Sequence, residues 1–579
     1  MAKVLRIIFI IAFFYGLTGC KEKNPSEIFV DPWMPNGSER VVNNGFLTWN
    51  FQYGTDGFSN STGEKCQTEN GFLLWHQQSG GYLLSPEQLH IPAGKVQTVE
   101  LRLASTGATL KLLWKLEGGG FTQSVSIPLI ADGQYHDYQI ELGQHIQWTG
   151  TISQLAFQTE TSENIAIDFI RLTGIYFVPF PFISFNYESD LALMNELKGL
   201  LSETDQSVVL GFCSLVEFLS QTDANGDYLY YHHSSDNITG GFNPYYLLSL
   251  AKETNMPMVV WIRGDPGGFA DAGMYKQLYA DDHHLMWTAA LNANPAYRTT
   301  SAMYTYLCLA QEELDGSTPA YWLQTDKLIG QCAELFAKMI QDNPDHILAV
   351  TTTTEIKFNT EDQKDDLDYN PKTIREFRNY CQQKYGTLAA LNAALGTDFT
   401  TFELRSTDFD PTTVENMGGF DAPRTRGTPV AFWKDWKDFR AQQIHSAVQR
   451  QVEAIAKQID SKYIYTHQIA SDIEVCESPP YTGNVAGANV GIDMFTHEAR
   501  ETTIQEIASF VKDDPTRSWG VPEWLVLRDG DPAQTVEAMK RMRAHGIKYL
   551  CPFHWSGGGE FDIKDTPAFE AIRNYLRDY

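Results

Sequence analysis

The 579-residue sequence predicts a multi-domain chain: an all-β sandwich followed by a (β/α)8 TIM barrel. Three observations predict it. From about residue 43 to 175 the chain alternates or runs β-branched between Gly, Asp and Asn clusters. From about 178 onward, short apolar runs alternate with amphipathic stretches of helical period. Those runs number eight and each precedes its helix, the count of such a barrel.

The sandwich segments are "VQTVELRLAS", "TLKLLWKLEG", "TQSVSIPLI", "HDYQIELG", "ISQLAFQTE" and "IAIDFIRLTG". Their layout resembles the jelly-roll modules appended to bacterial glycan-degrading enzymes, which implies a sugar-binding or buttressing role. Trp49, Trp75 and Trp114 could form a sugar platform, but core packing is the favoured reading.

The barrel strands are expected at 182–188, 207–214, 256–264, 346–355, 462–470, 489–497, 517–523 and 548–555. "DLALMNELKGLLSE", "TDKLIGQCAELFAKMIQ" and "PAQTVEAMKRMRAHG" are typical of the helices between them. A doubly wound sheet competes, but no GxGxxG turn follows the first strand. Long excursions at 265–320 and 356–430 follow the third and fourth strands, where barrels build substrate clefts.

The N-terminus "MAKVLRIIFIIAFFYGLTGC" sets Lys3 and Arg6 before an apolar run too short to span a bilayer, so residues 1–19 read as a signal peptide. Its Leu-Thr-Gly-Cys ending resembles the bacterial lipobox. That implies a lipidated Cys20, a tether over 20–42, and a secreted protein anchored in a bacterial cell envelope at the outer membrane. With 44 basic and 72 acidic residues the net charge is −28, which argues against nucleic acid and anionic membrane surfaces. Aromatic residues make up 13% of the chain, a content that suits the apolar faces of sugars. The other seven cysteines show no ligand spacing, and "YYHHSSDN" and "YADDHHLMW" offer adjacent loop histidines, so neither a metal nor a cofactor is expected.

Barrel enzymes draw their chemistry from the C-terminal ends of several strands. Those ends supply Asn186, Trp261, Arg263, Thr354, Glu355, His467, His497, Glu523, Trp524, His554 and Trp555. Cleaving an acetal takes two carboxyl groups, one protonated and one ionised. Glu355 and Glu523 end the fourth and seventh strands, which lie across a barrel mouth. This pair resembles the retaining glycoside hydrolases of clan A, and the resemblance implies Glu355 as acid/base and Glu523 as nucleophile. It also implies Trp555 as a sugar platform. His467, His497 and Arg263 are candidate donors to the nucleophile, and Trp261 and Trp524 are candidate stacking surfaces. Asn186, Thr354 and His554 complete the expected substrate-binding set. Glu498, Glu217 and Glu188 are the rival acids.

The segment "IREFRNYCQQKYGTLAALNAALGTDFTTF" (374–402) is similar to the stretch after strand four in family 42 β-galactosidases. Clan A enzymes usually hold an asparagine before the acid/base, and here Thr354 stands there. The expected function is therefore a divergent retaining hydrolase cleaving a β-linked oligo- or polysaccharide. The alternative is a non-catalytic glycan-binding surface lipoprotein on a hydrolase-like barrel.

Overall fold

A computed structural model describes residues 47–578 with interruptions, the longer ones being 202–207, 223–227, 231–243, 263–277, 290–306, 353–355, 357–367, 406–416 and 470–481. Cys20, Arg263, Thr354, Glu355 and the rival Glu217 lie outside the described residues.

The N-terminal part is two antiparallel sheets. In one, Thr98–Ser105 pairs with Tyr135–Glu141 on one side and Glu163–Thr173 on the other, which in turn pairs with Phe72–Gln77. In the other, Thr151–Thr159 and Gln123–Pro128 flank Thr109–Leu116. Alternation of apolar and polar residues gives each sheet one buried face. Between them lies a core that includes Trp49, Trp75 and Trp114, all buried. These tryptophans are therefore packing residues, as favoured.

The first parallel strand, Tyr176–Phe177, is separated from Thr173 by only two residues. The expected first strand at 182–188 is corrected: residues 187–188 already belong to the helix Tyr187–Leu201. Ladder hydrogen bonds continue beyond Phe177, from the N–H groups of Val178, Phe180 and Phe182 to the carbonyls of Leu550, Pro552 and Ser556. Pro179 and Pro181 fall at the alternate positions, where no donor to that side is required, so the extended chain tolerates both.

Parallel pairing then runs through Val209–Leu210 with Phe212–Val216, Met258–Ile262, Ile347–Thr351, Ile464–Tyr465 with Gln468–Ile469, Val490–Phe495, Trp519–Leu525 and Ile547–Phe553. The last of these pairs with Tyr176–Phe177, so the pairings return to the first strand. Helices such as Ala320–Asp342, Val430–Ala456 and Pro532–Ala544 fall between the strands and cover the outside of this ring with a large apolar core. Inside it sit Tyr176, Val178, Phe180, Cys213, Val259, Trp261, Ala349, Tyr465, Tyr549 and Cys551. Gly520 makes room there: a Cβ on it would stand 2.4 Å from the Tyr549 ring.

The sandwich meets the N-terminal ends of the ring strands. The Tyr176 hydroxyl donates to Glu100 at 3.2 Å, Lys548 lies 3.4 Å from the same carboxylate, and Lys462 lies 2.9 Å from Asp137. Burial would push the Glu100 carboxyl up, but Lys548, Arg171 and Lys462 together hold it below the usual range. Among the described residues, these contacts lie at the opposite end of the strands from the candidate site.

Candidate active site

Val490–Phe495 and Trp519–Leu525 build the site by parity. Met494 pairs with Trp524, and both pack in the outer core against the helices. Successive side chains in a strand point to opposite faces, so Asp493 and Glu523, one residue earlier, turn inward side by side. The sixth-to-seventh ladder shifts register between Gly491 and Met494, and the seventh-to-eighth ladder between Val521 and Trp524. Such bulges beside a site re-aim side chains.

His467 completes a cluster. Its Nε2 lies 2.9 Å from Asp493 Oδ2 and 3.7 Å from Glu523 Oε2. The His467 and Asp493 side chains are 0% and 1% exposed, whereas Glu523 is 17% exposed. Glu523 is thus the member of the cluster that opens to solvent. Burial alone would lower the His467 pKa, but the Asp493 and Glu523 carboxylates outweigh it and push it up to about 10. The His467 backbone N–H donates to the Thr352 hydroxyl at 3.0 Å, which fastens the fifth strand to the end of the fourth. The three side chains place ligand atoms within 4.8 Å of one another. In this structure the three groups meet as one imidazole against two carboxylates.

Aromatic rings line the interior beside it. Trp261 stacks on Phe180 with centroids 4.8 Å apart, also stacks on Phe553, and meets the His467 ring edge-on at 4.9 Å. Phe182 reaches toward the mouth at 38% exposure and meets the His554 ring edge-on at 4.8 Å. Burial lowers the His554 pKa, partly opposed by Asp562, which favours a neutral ring.

Several expected site residues lie elsewhere. Trp524 and Trp555 are fully buried, so neither offers a ring to a sugar. Trp524 faces outward by strand parity, and Trp555 packs toward Phe569 with Lys564 over its ring. Trp261 is buried too and supports His467 rather than a ligand. His467 is closed to solvent and reaches the carboxylates, not a substrate. Asn186 is exposed at the start of a helix, where its side chain accepts from the Ser189 N–H at 3.2 Å. His497 is exposed beyond the sixth strand, its ring tilted over Phe495. Of the rival acids, Glu498 accepts from the Phe495 N–H at 2.8 Å and caps its own turn, while Glu188 lies exposed in the first turn of a helix.

Two sets of residues were missed by sequence reasoning. Phe180, Phe182 and Phe553 sit where the expected strand limits placed no site residue. Asp493 was passed over inside "VGIDMF", although an acid in an otherwise buried strand requires a partner.

Residues 312–556 match the family model Glyco_hydro_42, described as β-galactosidase. The matched stretch, less than half of the chain, is similar to that hydrolase family. No curated protein matches the sequence. Among solved structures, the catalytic domain of a β-amylase from Paenibacillus polymyxa is 12% identical, with a TM-score of 0.47 over 70% of this chain and 98% of that one. A β-galactosidase from Marinomonas ef1 is 12% identical, with a TM-score of 0.45 over 70% of this chain and 59% of that one. A third, from Bacillus circulans sp. alkalophilus, is 14% identical, with a TM-score of 0.43 over 70% and 55%. The chain therefore spans a little over half the length of these two galactosidases. Within the matched region, helix Pro371–Tyr385 is followed by helix Leu388–Leu395, whose second half opens the "LNAALGT" motif at 391–397. There Asn392 accepts from the Thr397 hydroxyl at 2.8 Å and donates to the Phe399 carbonyl at 2.8 Å. The motif locks the chain after a helix.

Proposed function

We propose that this chain is a retaining glycoside hydrolase cleaving a β-linked oligo- or polysaccharide, with its strand ring a (β/α)8 barrel and its N-terminal part a jelly roll. The observation that carries the reading is Glu523: a carboxylate two residues before the end of the seventh strand, Trp519–Leu525, turned inward, open to solvent and beside a buried cation. Glu523 attacks the anomeric carbon while Glu355, four residues past the fourth strand in sequence, protonates the departing oxygen. Water then enters against the glycosyl–Glu523 ester, with Glu355 taking its proton. A preorganised cation beside the nucleophile keeps it ionised at neutral pH. Phe182, exposed at the mouth, supplies an apolar surface for a sugar face. The lipobox-like end at Cys20 supports an outer-membrane lipid anchor, with the sandwich as a buttress at the far end of the ring.

The test is a glycan and aryl-glycoside panel assayed with the E355Q and E523A variants. General acid–base loss predicts a fall of about 10²–10⁴-fold for E355Q on unactivated glycans. E523A is expected to lose turnover and to regain it with azide. Near-wild-type turnover in either variant removes that residue from the mechanism.

A further inference from the structure

A double-displacement reaction uses two carboxyl groups, yet a third, Asp493, stands beside the nucleophile. Asp493 and Glu523 occupy equivalent levels of neighbouring strands, and like charges so close do not both stay ionised without a cation between them. The His467 Nε2 lies between them, nearer to Asp493 at 2.9 Å than to Glu523 at 3.7 Å. The edge-on Trp261 ring closes one side of the imidazole, and the His467 backbone is held by Thr352. We propose that Asp493 and His467 are a positioning pair, in which Asp493 anchors the His467 imidazolium so that its charge keeps Glu523 ionised without binding it tightly. This rests on the reading of Glu523 as nucleophile.

The asymmetry of the contacts gives the pair its use. A close contact to Glu523 would tie up the electron pair needed for attack, and the closer approach of the cation, 2.9 Å, is to Asp493 instead. Glu523 receives the field of the cation through the longer contact. Among the described residues, the titratable groups that face His467 are Asp493 on the sixth strand and Glu523 on the seventh. Cys213, Cys551 and Tyr549 lie beneath on the second and eighth strands, and burial raises all three and keeps them neutral. The cluster thus holds one cation against two anions.

The experiment is an NMR pH titration of the labelled histidine imidazoles in the full-length protein, with the His467 signal identified by its loss in H467N. The proposal expects His467 to stay an imidazolium beyond about pH 8, against an ordinary midpoint near 6.5. In D493N its midpoint is expected to fall by at least tenfold in acidity. Titration of the wild-type His467 signal below about pH 7, or no change in D493N, overturns the proposal. This arm needs no substrate and no active variant. A kinetic arm uses the acid limb of kcat/KM on para-nitrophenyl β-galactoside or whichever aryl glycoside the panel finds cleaved. H467N should move that limb to higher pH and D493N to lower pH, a divergence that loss of packing alone does not produce. Movement in the same direction contradicts the proposal. Undiminished turnover in E523A would instead sink the hydrolase roles and leave the titration to report on the ion pair alone.

Discussion

His467 Nε2 lies 2.9 Å from Asp493 Oδ2, with both side chains closed to solvent, and 3.7 Å from the more open Glu523. The fifth, sixth and seventh strands are joined by charge at the level where the chemistry is proposed.

This buried cation makes stability depend on pH. The folded pKa of His467 is about 10, above the ordinary value near 6.5. A raised folded pKa stabilises fully below the unfolded value, and the stabilisation is lost as pH rises from about 6.5 through about 10. Thermal melts across that window should show the Tm of wild type falling more steeply than that of H467Q. Parallel curves would contradict the assignment.

The contact between sandwich and ring predicts a different phenotype. Lys548 is 2% exposed and faces Glu100, with Arg171 3.5 Å from the same carboxylate. Removing one partner of a buried pair costs about 3–5 kcal/mol. K548M should lower stability in chemical denaturation by that order while leaving kcat per folded molecule unchanged, because the contact lies at the far end from Glu523. A drop in kcat without loss of stability would contradict this layout.

Exposed and buried aromatics should separate cleanly. F182A removes a ring that is 38% exposed at the mouth and should raise KM several-fold with little change in Tm. W555A empties a fully buried site and should cost about 3–5 kcal/mol of stability. The reverse pattern, measured by steady-state kinetics and melts, would restore Trp555 as the sugar platform.

Close approach fixes Gly491. A Cβ there would fall 1.7 Å from the Thr466 carbonyl oxygen, a backbone atom with no freedom to turn aside. G491A should therefore cost about 3 kcal/mol or more by overpacking and displace the strand that bears Asp493. A denaturation midpoint equal to wild type would show that the strands are not this close.

The sequence made the parallel strands readable because buried strands are near-continuous apolar runs, as in "ILAVT" and "MVVWI". It misled at the first strand, expected at 182–188, whereas the strand is Tyr176–Phe177 and the neighbours of Pro179 and Pro181 continue its ladder. Parity was the harder signal. Trp524 and Trp555 stood near strand ends like site residues, but which face each takes depends on register and bulges that emerge only when strands pair. Glu523 was legible as an acid closing an apolar run, whereas Asp493 was hidden within one.

The central claim is that Glu523 forms the covalent bond to the sugar. Incubation with an activated 2-deoxy-2-fluoro β-glycoside of the sugar found cleaved, followed by peptide mass mapping, tests it most directly. The account predicts one glycosyl adduct on the peptide bearing Glu523, absent in E523A. An adduct on Asp493, or hydrolysis with inversion and no adduct at all, would contradict it.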